Sequence, residues 1–216
     1  MNNNKKGYFN DHEKRVRLTL NLLMKYIDGN VFNVAIIGFS EVDQLFMNTL
    51  GKRKITFIVP EEFKQYIKDN GKDYLFTDIT NGIPLEKRGK FDLVIFTEVL
   101  EHIFASDSMV MANIFSLLRP GGTLCFSVPN IATFLNRVRL LIGRNVCWPK
   151  EDQINGVFGG HGHIREYTFQ EVIDLMKDFQ IITVQGISGY RAGLKRLLNV
   201  LPAGFQNTIV VIGRRM

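Results

Sequence analysis

Apolar positions along the chain fall into two alternating rhythms. Val16, Leu20, Leu23 and Ile27 recur at helical spacing, so residues 11–27 read as an amphipathic helix, with Gly29 as its stop. Val31–Ile37 follows as a short apolar, β-branched run ending at Gly38, the pattern of a buried strand. The alternation then repeats. A helix is expected over 41–50, a strand over Lys54–Val59 stopped by Pro60, a helix over 61–68, and strands over Tyr74–Thr77 and Phe91–Phe96. A helix over 108–118, a Pro120-Gly121-Gly122 turn and a strand over Thr123–Val128 complete this part. Beyond a glycine-rich stretch without clear period at 143–166, the pattern predicts a helix over 168–179, a strand over 180–185, a helix over 194–200 and a last strand over 208–212.

Strands that alternate with helices at this spacing imply an α/β fold with a mostly parallel sheet covered on both faces. The Pro202-Ala203-Gly204 break lets the last strand turn back, so a seven-stranded sheet with an antiparallel last strand is expected. In such sheets ligands bind beyond the carboxyl ends of the strands. That rule selects residues 38–41, 59–62, 78–79, 97–102 and 127–130.

Composition narrows the class. At 216 residues and 45% apolar, the chain has the size of one globular α/β domain, with a loop-rich insertion near 131–166 on the substrate side. No apolar run reaches the roughly 18 residues that span a bilayer. The polar start, Met1 to Lys6, has no secretory core behind it, so a cytoplasmic location is expected. Cys125 and Cys147 show no metal spacing and no disulfide framework. The net charge of +6 is uneven: residues 131–216 carry 11 basic against 6 acidic side chains. A basic stretch attracts anions or anionic surfaces, or is simply solvated.

The segment 90–130 carries the most specific wording. Phe91-Asp92-Leu93-Val94-Ile95 leads to Glu98-Val99-Leu100-Glu101-His102, then Leu117-Leu118-Arg119-Pro120-Gly121-Gly122 and Val128-Pro129-Asn130. It resembles the fourth and fifth strands of class I S-adenosylmethionine-dependent methyltransferases, and Gly162–Thr168 is similar to a segment of their small-molecule and glycan-pathway members. The resemblance implies a Rossmann-like doubly wound sheet, S-adenosylmethionine as cofactor, and methyl transfer to a small-molecule or glycan-precursor acceptor. It implies cofactor contacts at Gly38, Ser40, Glu61, Asp78, Ile79, Thr97 and Glu98. His102 and His163 are the candidate bases, since imidazole titrates near neutrality. Asn130, Arg137, His161 and Arg165 are candidate acceptor contacts, and the arginines suit an anionic acceptor. No metal is expected, because Gly160-His161-Gly162-His163 is poor in other ligands. Arginines interleaved with Phe134, Leu135, Val138, Leu141 and Ile142 also suit a membrane-surface helix at 131–144.

The first two cofactor motifs depart from the family pattern. Ile36 stands for the expected acid of the first strand, Ser40 and Val42 for later glycines, and Val59-Pro60 for the acid of the second strand. These changes predict weak cofactor binding, and they also fit a methyltransferase-like scaffold that no longer binds cofactor. An RNA methyltransferase is the third reading, but aromatic–basic interleaving typical of RNA binding is missing, so nucleic acid is not expected.

Overall fold

The computed structural model describes residues 3–27, 29–40, 42–67, 72–151, 162–188 and 200–216. Seven strands form one sheet: β1 (Asn33–Ile37), β2 (Lys54–Val59), β3 (Asp73–Phe76), β4 (Phe91–Thr97), β5 (Leu118–Pro129), β6 (Phe179–Ile187) and β7 (Thr208–Arg215). Their order is β3-β2-β1-β4-β5-β7-β6. β1 to β5 pair in parallel. β7 pairs antiparallel with both β5 and β6, so it alone runs against the rest, as expected. The strand order reverses between β1 and β4, which opens a crevice at the carboxyl ends of these two strands.

The described helices are α1 (Asn3–Leu23), α2 (Asp43–Leu50), α3 (Asp107–Leu117), α4 (Phe134–Leu141) and α5 (Phe169–Leu175). Alternate side chains of each strand face opposite sides. Val34 and Ile36 of β1 join Val16, Leu20 and Leu23 of α1 and Phe46 and Leu50 of α2 in one core. Ala35 and Ile37 join Val110, Ile114 and Leu117 of α3 and Val172 of α5 in the other. The chain is therefore doubly wound, with both sheet faces covered.

Several boundaries differ from expectation. α1 begins earlier and stops at Leu23, because the amides of Lys25 and Tyr26 switch to carbonyls three residues back. The helix expected at 61–68 is a single 3₁₀ stretch, Glu61–Tyr66, with no buried residue. A short segment that buries no face gains too little packing to hold an α-helix. β5 runs through Pro120–Gly122, and the turn expected there is absorbed as a register shift opposite Phe91–Leu93, with Gly121 at φ 75°. α5 is shorter than its sequence pattern, and the helix expected at 194–200 lies outside the described residues. α4 lies within the basic stretch and is capped by Thr133, yet none of its residues is buried. No described helix is long and apolar enough to cross a membrane.

Candidate functional site

β4 is buried almost throughout and delivers its last residue, Thr97, to the crevice. Glu98 follows with φ 55°, the one positive φ outside glycine among the described residues. Such a conformation costs about 1–3 kcal/mol and persists only where surroundings over-determine it. Here they do. The Glu98 amide donates to the Ser127 carbonyl at 2.9 Å, the Ser127 hydroxyl donates to Glu98 Oε1 at 3.2 Å, and Arg15 Nη2 lies 3.3 Å from Oε2. Arg15 belongs to α1, so the first helix reaches over the end of β4. His12, on the same helix, belongs to this neighbourhood. Burial, then the Arg15 and His102 charges, push its imidazole below its ordinary value against the opposing pull of Glu98.

A 3₁₀ turn, Leu100–His102, comes next and sorts its residues. Leu100 enters the core, and His102 stays partly exposed. Glu101 is 1% exposed, and neither of its carboxylate oxygens has a hydrogen-bond partner among the described residues. Burial first, then the neighbouring Glu98, hold this carboxyl well above the usual carboxylate range.

The chain returns to this turn from the far side of the sequence. Ile164 donates its amide to the Glu101 carbonyl at 2.8 Å, and Tyr167 bridges to Asn130. These bonds bring the His163 ring to 5.0 Å from that of His102. His163 Nδ1 lies 3.1 Å from Glu166 Oε1, and the same oxygen accepts from Trp148 Nε1 at 2.8 Å. Burial alone raises the Glu166 carboxyl, but the hydrogen bonds from His163 and Trp148 outweigh it and hold it below the usual range. An ionised carboxylate only accepts, so Nδ1 is the donor and the neutral ring carries its lone pair on Nε2. Glu101 Oε1 is 3.9 Å from His102 Nε2.

The structure thus brings His102, His163, Thr97 and Glu98 to one place. Gly38 forms the turn after β1 at φ 89°, and a Cβ there would meet Val99 at 3.3 Å. Ser40 is exposed, and its hydroxyl oxygen accepts from the Val42 amide at 3.3 Å. Asp78 closes its own turn, accepting from the Thr80 amide at 2.8 Å and from Asn81 at 3.3 Å. Ile79 is packed in the core on the α3 side.

The other described candidates have partners of their own. Glu61 is exposed and paired with Lys64. Asn130 is buried and spends its side chain on the Gly204 and Gln206 carbonyls and the Ala132 amide, as a clamp between two chain segments. Arg137 donates to the Ala132 carbonyl and covers the Phe205 ring. Arg165 is bound by Asp107 and Glu171 and lies over Tyr167. His161 lies outside the described residues. Sequence reasoning missed Glu101, Glu166, Trp148, His12 and Arg15. The Glu101-His102 pair at a strand end and the His163/Glu166 spacing were the available signals.

A family model described as a methyltransferase domain matches residues 22–182. The chain belongs to this methyltransferase family. Among curated proteins none matches it. Solved structures similar to this methyltransferase include a S-adenosylmethionine-dependent methyltransferase from Thermotoga maritima, at 18% identity and TM-score 0.62, covering 99% of this chain and 95% of that one. The N-methyltransferase NodS from Bradyrhizobium japonicum matches at 17% identity and TM-score 0.57, over 95% and 96% of the two chains. The 1,6-didemethyltoxoflavin-N1-methyltransferase of Burkholderia thailandensis, solved with its substrate and S-adenosylhomocysteine, matches at 16% identity and TM-score 0.57, over 93% and 77%. At these identities the likeness is one of fold.

Three observations bear on how the methyltransferase's own residues would meet the family's cofactor. The Gly38 turn is held by glycine at the end of β1, and Glu98 is held in a strained conformation at the end of β4. Asp78 uses two acceptor positions of the roughly four that a carboxylate offers, so it keeps capacity for a further donor. Val59 and Pro60 offer no acid at the end of β2.

Proposed function

We propose that this methyltransferase transfers a methyl group from S-adenosylmethionine to a small-molecule or glycan-precursor acceptor that presents a hydroxyl or amine. One observation carries the reading: the oriented His163–Glu166 pair faces His102 at the carboxyl end of β4, inside a methyltransferase domain. S-adenosylmethionine supplies an electrophilic methyl group on a sulfonium. Gly38, Ser40, Asp78 and Thr97 would hold it, beside Glu98, whose carboxylate already pairs with Arg15 and Ser127. His163 turns the Nε2 lone pair to the proton-bearing atom of the acceptor, and Glu166 stabilises the charge that the ring would gain. His102 lines the same spot.

The carboxylates around the histidines favour a neutral or cationic acceptor. Arg137 and Arg165, expected to meet an anion, are engaged by other groups. Calorimetric titration with S-adenosylhomocysteine tests the reading first, and the expected result is one site per chain. His163→Ala should keep that binding and lose about 100-fold or more in methyl transfer, the usual worth of a positioned acid–base group. Silence at millimolar S-adenosylhomocysteine would favour a scaffold instead.

A further inference from the structure

Three side chains that converge at the end of β4 form a ligand set. The carboxylate of Glu101, the imidazole of His102 and the imidazole of His163 each offer one ligand atom, and these atoms lie within 4.8 Å of one another. We propose that Glu101, His102 and His163 bind a divalent transition-metal ion, and that the acceptor's oxygen meets the cluster on that ion. The use of the metal rests on the methyl-transfer reading, whereas the site itself does not.

Four observations carry it. First, Glu101 is almost fully buried with both carboxylate oxygens orphaned among the described residues, although a buried carboxyl normally finds partners. A cation satisfies both oxygens at once. Second, His163 already has the outer support of a metal-bound imidazole. Glu166 accepts a hydrogen bond from Nδ1–H and another from Trp148, leaving Nε2 as the ligating atom. Third, the surroundings favour a cation: Glu98 and Glu166 lie near the Glu101 carboxyl, with Arg15 as the opposing positive charge. Fourth, the backbone fixes the geometry: the Ile164 amide on the Glu101 carbonyl ties the two ligand-bearing segments together.

Ligand chemistry selects the metal. Two imidazoles with one carboxylate suit zinc, iron, cobalt or manganese rather than calcium or magnesium, which favour all-oxygen sets. Bonds of about 2.0–2.2 Å put opposite ligands at most about 4.4 Å apart, so a small rotation of the rings closes the set. Three protein ligands leave positions open, the mark of a catalytic rather than a structural site. With the ion bound, the acceptor's hydroxyl ionises more easily and its proton passes to solvent, so His163 then acts through the metal, and its role as base belongs to the metal-free site.

The test uses the full chain, freed of metal by chelation and dialysed. Cobalt(II) or zinc(II) titrated by calorimetry should bind once per chain. His102→Ala, His163→Ala and Glu101→Gln should each weaken binding at least tenfold while S-adenosylhomocysteine binding stays unchanged. X-ray absorption of the zinc-loaded wild type should show imidazole and oxygen scattering, which needs no variant to fold. A sulfur ligand, pointing to exposed Cys147, or a stoichiometry unmoved by all three substitutions overturns the proposal, as does no binding at millimolar metal. Loss of S-adenosylhomocysteine binding with metal binding intact would instead sink the methyl-transfer reading and spare the site.

Discussion

Burying a carboxyl group without a partner costs folding free energy, and Glu101, whose oxygens have no hydrogen-bond partner among the described residues, bears that cost. Burial and the Glu98 charge raise its carboxyl, so the folded chain favours the protonated form. The contribution of Glu101 to stability is therefore complete below the ordinary value of about 4.3 and fades as pH rises through the raised one. Glu166, held low, acts the other way: its contribution is present at neutral pH and is lost as pH falls through its depressed value. In metal-free protein, Glu101→Gln should melt higher than wild type at pH 8, with the two converging towards pH 5. Equal melting at both pH values would show that the carboxyl is not desolvated. Gly38→Ala places a Cβ at φ 89° and against Val99, so it should cost about 1–3 kcal/mol in urea unfolding. A loss under about 0.5 kcal/mol would mean that the turn relaxes. At this scale the residue types were readable but their partners were not. Arg165 has the chemistry of a ligand contact, yet Asp107 and Glu171 already bind it. Glu101 and Glu166 matter through burial and through contacts between distant segments, which no local pattern displays.

Elements differ in how much they contribute to stability. α5 starts with a reciprocal cap, in which Thr168 Oγ1 accepts from the Glu171 amide and Glu171 accepts from the Thr168 amide. Thr168→Ala should lower stability by about 1 kcal/mol, read from chemical denaturation, and an unchanged midpoint would show that Glu171 alone sustains the turn. α1 and α4 form a sharper contrast. Leu20 on α1 is buried, so Leu20→Ala should cost about 2–5 kcal/mol. Leu141 on α4 is 85% exposed, so Leu141→Ser should stay within about 0.5 kcal/mol of wild type. Unequal results in the opposite sense would mean that α4 is buried in solution. Strands were legible to within a few residues, because β-branched runs between glycine and proline have few alternatives. The 61–68 segment was misread because its charges permit a helix but nothing buries one.

For the whole molecule, the arrangement of β1 and β2 sets cofactor affinity. Phe39 packs against Phe63 at 5.7 Å rather than leaving bare backbone after β1, and β2 ends without an acid. Loss of a charged hydrogen bond to the ribose is worth roughly 1.5–3 kcal/mol, so S-adenosylhomocysteine should bind about tenfold to a hundredfold more weakly than to relatives that keep the acid. Calorimetry against such a relative checks this, and equal affinity would show that other groups compensate. The mostly parallel sheet and its reversed β7 were legible in the order of apolar runs and the Pro202-Ala203-Gly204 break, whereas the histidine cluster needed the tertiary fold to assemble.

The position of β7 also sets a timetable. β6 lies at the edge of the sheet and hydrogen-bonds to β7, yet β7 follows it in the chain. When β6 leaves the ribosome, the surface that will hold it has not yet been made. A domain generally folds as a unit. Until β7 is made and enters between it and β5, β6 remains an unpaired strand, exposed to chaperones and to wrong neighbours. A ribosome stall inside that interval would prolong the exposure of that unpaired strand.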